Sequence, residues 1–159
     1  MKRLVCLLIL LAMLPAVAVC EEYEYKYIVG IIETMLDSYK CLEMPEKSYD
    51  LPNDDGTESR YFIFDDDLRI VIKTDGETVK MASVGCYHHN HIREFLVICL
   101  SELIAFDVPT KSAMSAVFND YLFAETGDTT PESYGNGIYS SMTYDPEKEL
   151  LLFFVMKVN

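Results

Sequence analysis

The chain has 159 residues, half of them hydrophobic, and sets 26 Asp and Glu against 13 Lys and Arg for a formal net charge of −13. That apolar content excludes a wholly disordered chain, and the length suits one domain with a real core. The acidic balance argues against nucleic acid and anionic membrane as partners and leaves cationic partners, divalent ions or solvation alone.

Lys2 and Arg3 precede an apolar run from Leu4 to Leu14; Pro15 breaks it, and the small residues AVAVC follow. This is the layout of a secretory signal peptide over residues 1–20. The run is too short to span a bilayer, and Glu21-Glu22 follow at once. Cleavage after Ala18 or after Cys20 satisfies the small-x-small rule, and lipidation of Cys20 is a third option. The expectation is a secreted protein, extracellular or in the cell envelope, with no integral span once the signal is removed. Loss of Lys2 and Arg3 leaves 11 basic residues against 26 acidic, a net of −15.

Residues 21–159 read as a single α+β domain. Ile28, Ile32, Met35, Leu36, Tyr39 and Leu42 follow three-four spacing and predict a helix over about residues 24–41; the alternating tyrosines at its start also suit a short strand. Residues 43–58, with two prolines, a glycine and six acids, read as a surface loop. Their NDDG stretch fails the calcium-loop pattern, because Leu51 and Phe62 occupy the first and last ligand positions. Strands follow at 61–64, 68–73 and 78–84. A two-residue Asp75-Gly76 turn would pair Ile72 with Val79, Ile70 with Met81 and Leu68 with Ser83. Asp65-Asp66-Asp67 is then the preceding hairpin turn.

Two helices come next. Ile92, Phe95, Leu96, Cys99, Leu103 and Phe106 form one stripe. After Val108-Pro109, with Thr110 as N-cap, Ala113, Met114, Val117, Phe118, Tyr121 and Leu122 form another. Both are core stripes. Residues 125–137 read as a polar loop, and strands at 138–144 and 150–158 flank a turn at Asp145-Pro146. The last strand is apolar on both faces, which places it centrally in the sheet or across a subunit interface, so a homo-oligomer stays open. The expected fold is a two-layer α+β domain with a mostly antiparallel five-stranded sheet and three helices, in the order α-βββ-αα-ββ.

The chemistry-bearing stretch is CYHHNH, residues 86–91, which holds all three histidines. Cys86, His88, His89 and His91 are the candidate metal ligands, of a type suited to zinc or copper. The structural alternative is a strand-to-helix turn capped by Asn90. A Cys86–His88 catalytic pair lacks any visible orienting group or oxyanion hole. No CxxC occurs, which argues against an exchange site; Cys41 with Cys86 is the candidate disulfide, and Cys99 is expected to be a buried, inert thiol. Hydrolase, phosphate-loop and dinucleotide motifs are absent. Tyrosine remains: Tyr23, Tyr25, Tyr49, Tyr134 and Tyr139 fall in or beside loops, and their clustering would mark an interface. The expected function is therefore a secreted, acidic, non-enzymatic domain with no cofactor. It would bind a protein partner through the loops at 43–58 and 125–137. The alternative is a secreted metal-binding protein using CYHHNH.

Overall fold

The structure is a computed structural model that describes residues 23–124, 131–135 and 137–158. The expected signal peptide, its cleavage sites, Cys20 and most of the 125–137 loop lie outside the described residues. Three helices, α1 (Tyr25–Ser38), α2 (Ile92–Ala105) and α3 (Thr110–Ala124), accompany seven strands. The strands are β1 (Tyr49–Pro52), β2 (Glu58–Ile63), β3 (Leu68–Asp75), β4 (Thr78–Tyr87), β5 (Glu132–Ser133), β6 (Ile138–Asp145) and β7 (Leu150–Lys157). They form one sheet in the order β1-β2-β3-β4-β7-β6-β5, every neighbouring pair antiparallel. No helix among the described residues is long and apolar enough to cross a membrane.

The sheet has seven strands where the sequence predicts five. The two extra ones are edges. All four residues of β1 are exposed, so it carries no alternation of buried and exposed positions to betray it, and Pro52 sits where an edge tolerates proline. At the other edge β5 has only two residues. β7 lies between β4 and β6, as its apolar character on both faces requires.

The hairpin register also differs from expectation. Asp75 pairs with Thr78 and Thr74 with Val79, which makes Gly76-Glu77 the turn, with Gly76 at φ +60°. An irregularity at Lys73/Thr74 then sets Lys73 opposite Met81, Ile72 opposite Ala82, Ile70 opposite Val84 and Leu68 opposite Cys86. One extra residue in β4 reverses the side-chain parity beyond it. Met81 and Ser83 thereby leave the inner face for the outer one, and Ala82, Val84 and Cys86 replace them.

Buried side chains share one parity across the sheet. Phe62, Ile70, Val84, Phe153 and Met142 form one continuous cross-strand row, and all are buried. Leu68, Cys86 and Leu151 form a second. The alternate positions are half-buried or exposed, apart from the small residues Ser59, Ser83, Gly85 and Ser141. α2 touches α1, α3, β4 and β7, and α3 touches β6. Its central place explains why α2 is buried nearly all round, at Phe95, Val97, Ile98, Cys99, Ser101, Glu102, Leu103 and Ala105.

α1 follows its predicted stripe as far as Leu36, burying Ile28, Ile32, Met35 and Leu36, but it ends at Ser38, and Tyr39 is half-buried and Leu42 exposed. α3 does not. Its buried residues are Ala113, Ala116, Val117, Asp120 and Ala124, while Phe118 and Leu122 are 63% and 64% exposed. Small side chains let the helix axis approach its neighbours closely, and that contact outweighs the larger residues on the adjoining face.

Candidate functional site

Three connections meet at one end of the sheet: the β2–β3 turn at 65–67, the β4–α2 loop at 88–91 and the β6–β7 turn at 146–149. Backbone bonds tie them, from the Tyr87 N–H to the Asp67 carbonyl at 2.7 Å and from the His88 N–H to the Glu149 carbonyl at 2.8 Å. His88 and His89 both adopt positive φ, +53° and +56°, a conformation that histidine enters more readily than most side chains. The loop therefore turns sharply, and its side chains splay apart.

Each histidine finds a different partner. His88 Nδ1 lies 2.6 Å from Glu149 Oε2, and this hydrogen bond raises the imidazole's pKa. His91 Nε2 lies 2.7 Å from Asp65 Oδ2. The His89 ring sits 5.2 Å from that of Tyr144, and its Nε2 is buried without a hydrogen-bond partner. Among the described residues no group of three or more His, Cys, Asp or Glu is arranged so that it could hold a metal ion. The four candidate ligands are thus neighbours in sequence that the fold does not bring together. Cys86 points into the core at 0% exposure, and burial raises its thiol pKa.

Asn90 does not cap α2. His91 holds the N-cap position with no side-chain cap bond, and the Asn90 amide donates instead to Asp67 Oδ2 at 2.6 Å. Asp65 organises its own turn by accepting the backbone N–H groups of Asp67 and Leu68 at 2.8 and 2.9 Å. Although burial works against ionisation, those donors and His91 hold the Asp65 carboxyl below its ordinary range. The triple aspartate is a turn, fastened by asparagine and histidine.

Cys41, Cys86 and Cys99 are all free thiols, so the expected Cys41–Cys86 bridge is not formed. Cys99 is fully buried, and burial together with Glu102 pushes its pKa well up, which suppresses the reactive thiolate.

The five tyrosines singled out from sequence do not share a surface. Tyr23 is a core residue whose hydroxyl donates to the Phe106 carbonyl at 3.3 Å. Tyr25 lies under the Arg60 guanidinium, 4.1 Å from the ring centroid. Tyr134 bonds Ser140 at 2.8 Å beside β5. Tyr49 and Tyr139 stay exposed, near opposite edges of the sheet.

What the tertiary structure does assemble is the outer face of the sheet. Tyr61, Val71 and Phe154 fall in one cross-strand row with Ser83 between the last two. Ile63, Arg69, Gly85 and Leu152 form the next row, and Met81 and Met156 pair in a third. Ile63 is 52% exposed and Leu152 38%. Ser83 and Gly85 on β4 are themselves buried under neighbouring side chains, with Leu150 Cδ1 3.4 Å from where a Cβ on Gly85 would stand, so Ile63 and Leu152 carry the exposed apolar surface of this face. Sequence pattern signals half of this, because β7 reads as apolar on both faces; the bulge that brings Met81 outward has no local signal.

Two buried acids on the helices also escape sequence reasoning. Glu102 is fully buried, and neither carboxylate oxygen has a hydrogen-bond partner; burial raises its pKa well above the ordinary value. Asp120 is 6% exposed, and burial, aided by Glu132, pushes its pKa to about 6. Each follows a polar residue on its helix, Ser101 and Asn119, where a charge pattern suggests a solvated face. No protein-family model, curated protein or solved structure matches this chain.

Proposed function

We propose that this chain is a secreted, non-enzymatic domain that binds another protein across the outer face of its sheet. The carrying observation is the set of large side chains at the outer strand positions, Tyr61, Ile63, Met81, Leu152, Phe154 and Met156, none of them buried. A two-layer arrangement accounts for them: three helices cover the inner face and leave the outer one open. The zero exposure of Leu68, Ile70, Val84, Leu151 and Phe153 and the contacts of α2 with β4 and β7 support it.

Contiguous apolar surface is costly to leave in water and marks interaction sites. Five strands about 4.8 Å apart, over roughly 20 Å of their length, present on the order of 500 Å² in projection. That is comparable with one side of a standard interface, about 800 Å². Tyrosine, phenylalanine and methionine are the types enriched there. The occupant is a protein segment whose own apolar residues pack against Ile63, Leu152, Phe154 and Met156. Support for a non-enzymatic domain comes from the dispersal of the histidines into separate carboxylate and ring contacts, and from the burial of the Cys86 and Cys99 thiols.

Site-specific photo-crosslinking in the exported protein tests this. A photoreactive residue at Ile63 or Met156 should give one protein adduct of discrete mass, lost on adding Leu152→Asp. The same residue at Ser112, exposed on α3, should give none. No adduct from the sheet positions, or equal adducts from Ser112, would sink the proposal.

A further inference from the structure

The outer face has a charge pattern that specifies its partner, and the following rests on the docking face proposed above. Within the strands that face carries no carboxylate except at strand ends, Asp75 and Asp145, in a chain with 26 acids. Its cations are already engaged. Lys73 Nζ lies 2.6 Å from Asp55 Oδ2 and Lys80 Nζ 3.8 Å from Asp75 Oδ2. Arg69 lies over the Tyr87 ring at 4.9 Å and donates to the Asp66 carbonyl at 3.3 Å.

Both ends of the face are acidic. At one end the two turns hold Asp65, Asp66, Asp67, Asp145, Glu147 and Glu149; His91, Asn90, Lys148 and His88 already engage Asp65, Asp67, Asp145 and Glu149, so Asp66 and Glu147 are the carboxylates left to a partner. At the other end lie Asp54, Asp55, Asp75 and Glu77, opposed by Lys73 and Lys80. Strands of this length set the two ends roughly 25 Å apart. We infer that the partner is a basic protein segment: an apolar ridge that lies across the outer side chains of Ile63, Leu152 and Phe154, flanked on both sides by Lys and Arg that reach the acidic turns. A second copy of this chain fits less well, because face-to-face pairing brings acidic ends near acidic ends on two molecules that each carry a large net negative charge.

Three synthetic peptides test it, sharing one Leu/Phe ridge of about 14 residues and flanked at both ends by Lys, Gln or Glu. Each is fluorescently labelled and titrated with the exported protein at low and high salt, followed by anisotropy. The Lys-flanked peptide should bind at least about tenfold more tightly than the Glu-flanked one at low salt, with the Gln-flanked peptide between them, and the gap should close at high salt. Phe154→Asp should abolish binding of all three. The quadruple variant Asp54→Asn, Asp66→Asn, Glu77→Gln, Glu147→Gln should bring the Lys-flanked peptide to the affinity of the Gln-flanked one.

Equal affinity for all three peptides, still lost in Phe154→Asp, would overturn the charge inference and leave the docking face standing. Tight binding of the Lys-flanked peptide that ignores Phe154→Asp would reduce it to diffuse attraction and overturn both. No binding by any peptide would overturn the inference at the docking face itself. A dimer in sedimentation that Phe154→Asp dissociates would replace the basic partner with a second copy.

Discussion

Phe153 and Phe154 are neighbours in β7 and meet opposite surroundings. Phe153 has 0% exposure and sits in the row with Val84 and Met142; Phe154 looks outward beside Ser83 and Ser141 and stays half-buried. The two faces of the sheet differ in the same way throughout. The inner one is closed with aliphatic and aromatic side chains of β2, β3, β4, β6 and β7, and two buried acids lie in the helices. The outer one has comparable side chains that stay half-buried or exposed, and only the small residues between them are buried. The difference teaches that apolar content alone does not define a core. What defines it is a second set of side chains to fill the gaps.

Substitutions can break this comparison. The largest effect is expected from Phe153→Ala, which should cost about 3–5 kcal/mol of unfolding free energy through cavity formation. Phe154→Ala next door should cost under about 1.5 kcal/mol while impairing partner binding. Urea denaturation of both variants checks this; equal losses would mean that the outer face is also core.

Next comes the buried acid of α2. Glu102 has a raised pKa in the fold, so the unfolded chain releases its proton first. Stability contributed by the neutral form is present at low pH and falls as pH rises above the ordinary glutamate value. Glu102→Met should therefore stabilise the protein at pH 7 and do so less at pH 4, with the difference read from urea midpoints at the two values. A variant that is less stable at pH 7 would show that the carboxyl has a partner worth keeping.

Asp120 gives a narrower window. With its folded pKa at about 6 against an ordinary value of 3.8, stability should decline between about pH 4 and 6, and Asp120→Asn should flatten that decline. A thermal-melting series across that range measures it, and an unchanged slope would remove Asp120 as the cause.

The smallest effect lies at the exposed turns. The His88–Glu149 contact raises the histidine pKa, so its contribution is fully present below the unfolded pKa and is lost as pH rises through the folded one. Glu149→Gln should lower the His88 titration midpoint seen by NMR with little change in overall stability. An unmoved midpoint would mean that the pair is not formed in solution.

The helix stripe of α1, the hairpin of β3 and β4 and the central place of β7 were legible because each rests on local pattern: three-four spacing, alternation around Asp75-Gly76, and an apolar run. The edge strands were not, since β1 buries none of its side chains and β5 is too short to show a period. The candidate site was less legible still. CYHHNH packs four possible ligands into six residues, yet two consecutive positive φ values send the imidazoles to Glu149, Tyr144 and Asp65.

By itself, then, the sequence determined the class of element along most of the chain, the acidity of its surface and the identity of the inner row of β3, because hydrophobic periodicity and turn chemistry act over a few residues. Only the tertiary structure decided which face of α3 is buried, where β4 gains its extra residue, and hence that Met81 stands outward beside Met156. Those outcomes depend on contacts between segments far apart in the chain. The closeness of helix approach that Ala113 and Ala116 permit, and the pairing of β4 with both β3 and β7, are properties of the packed molecule that no local pattern encodes.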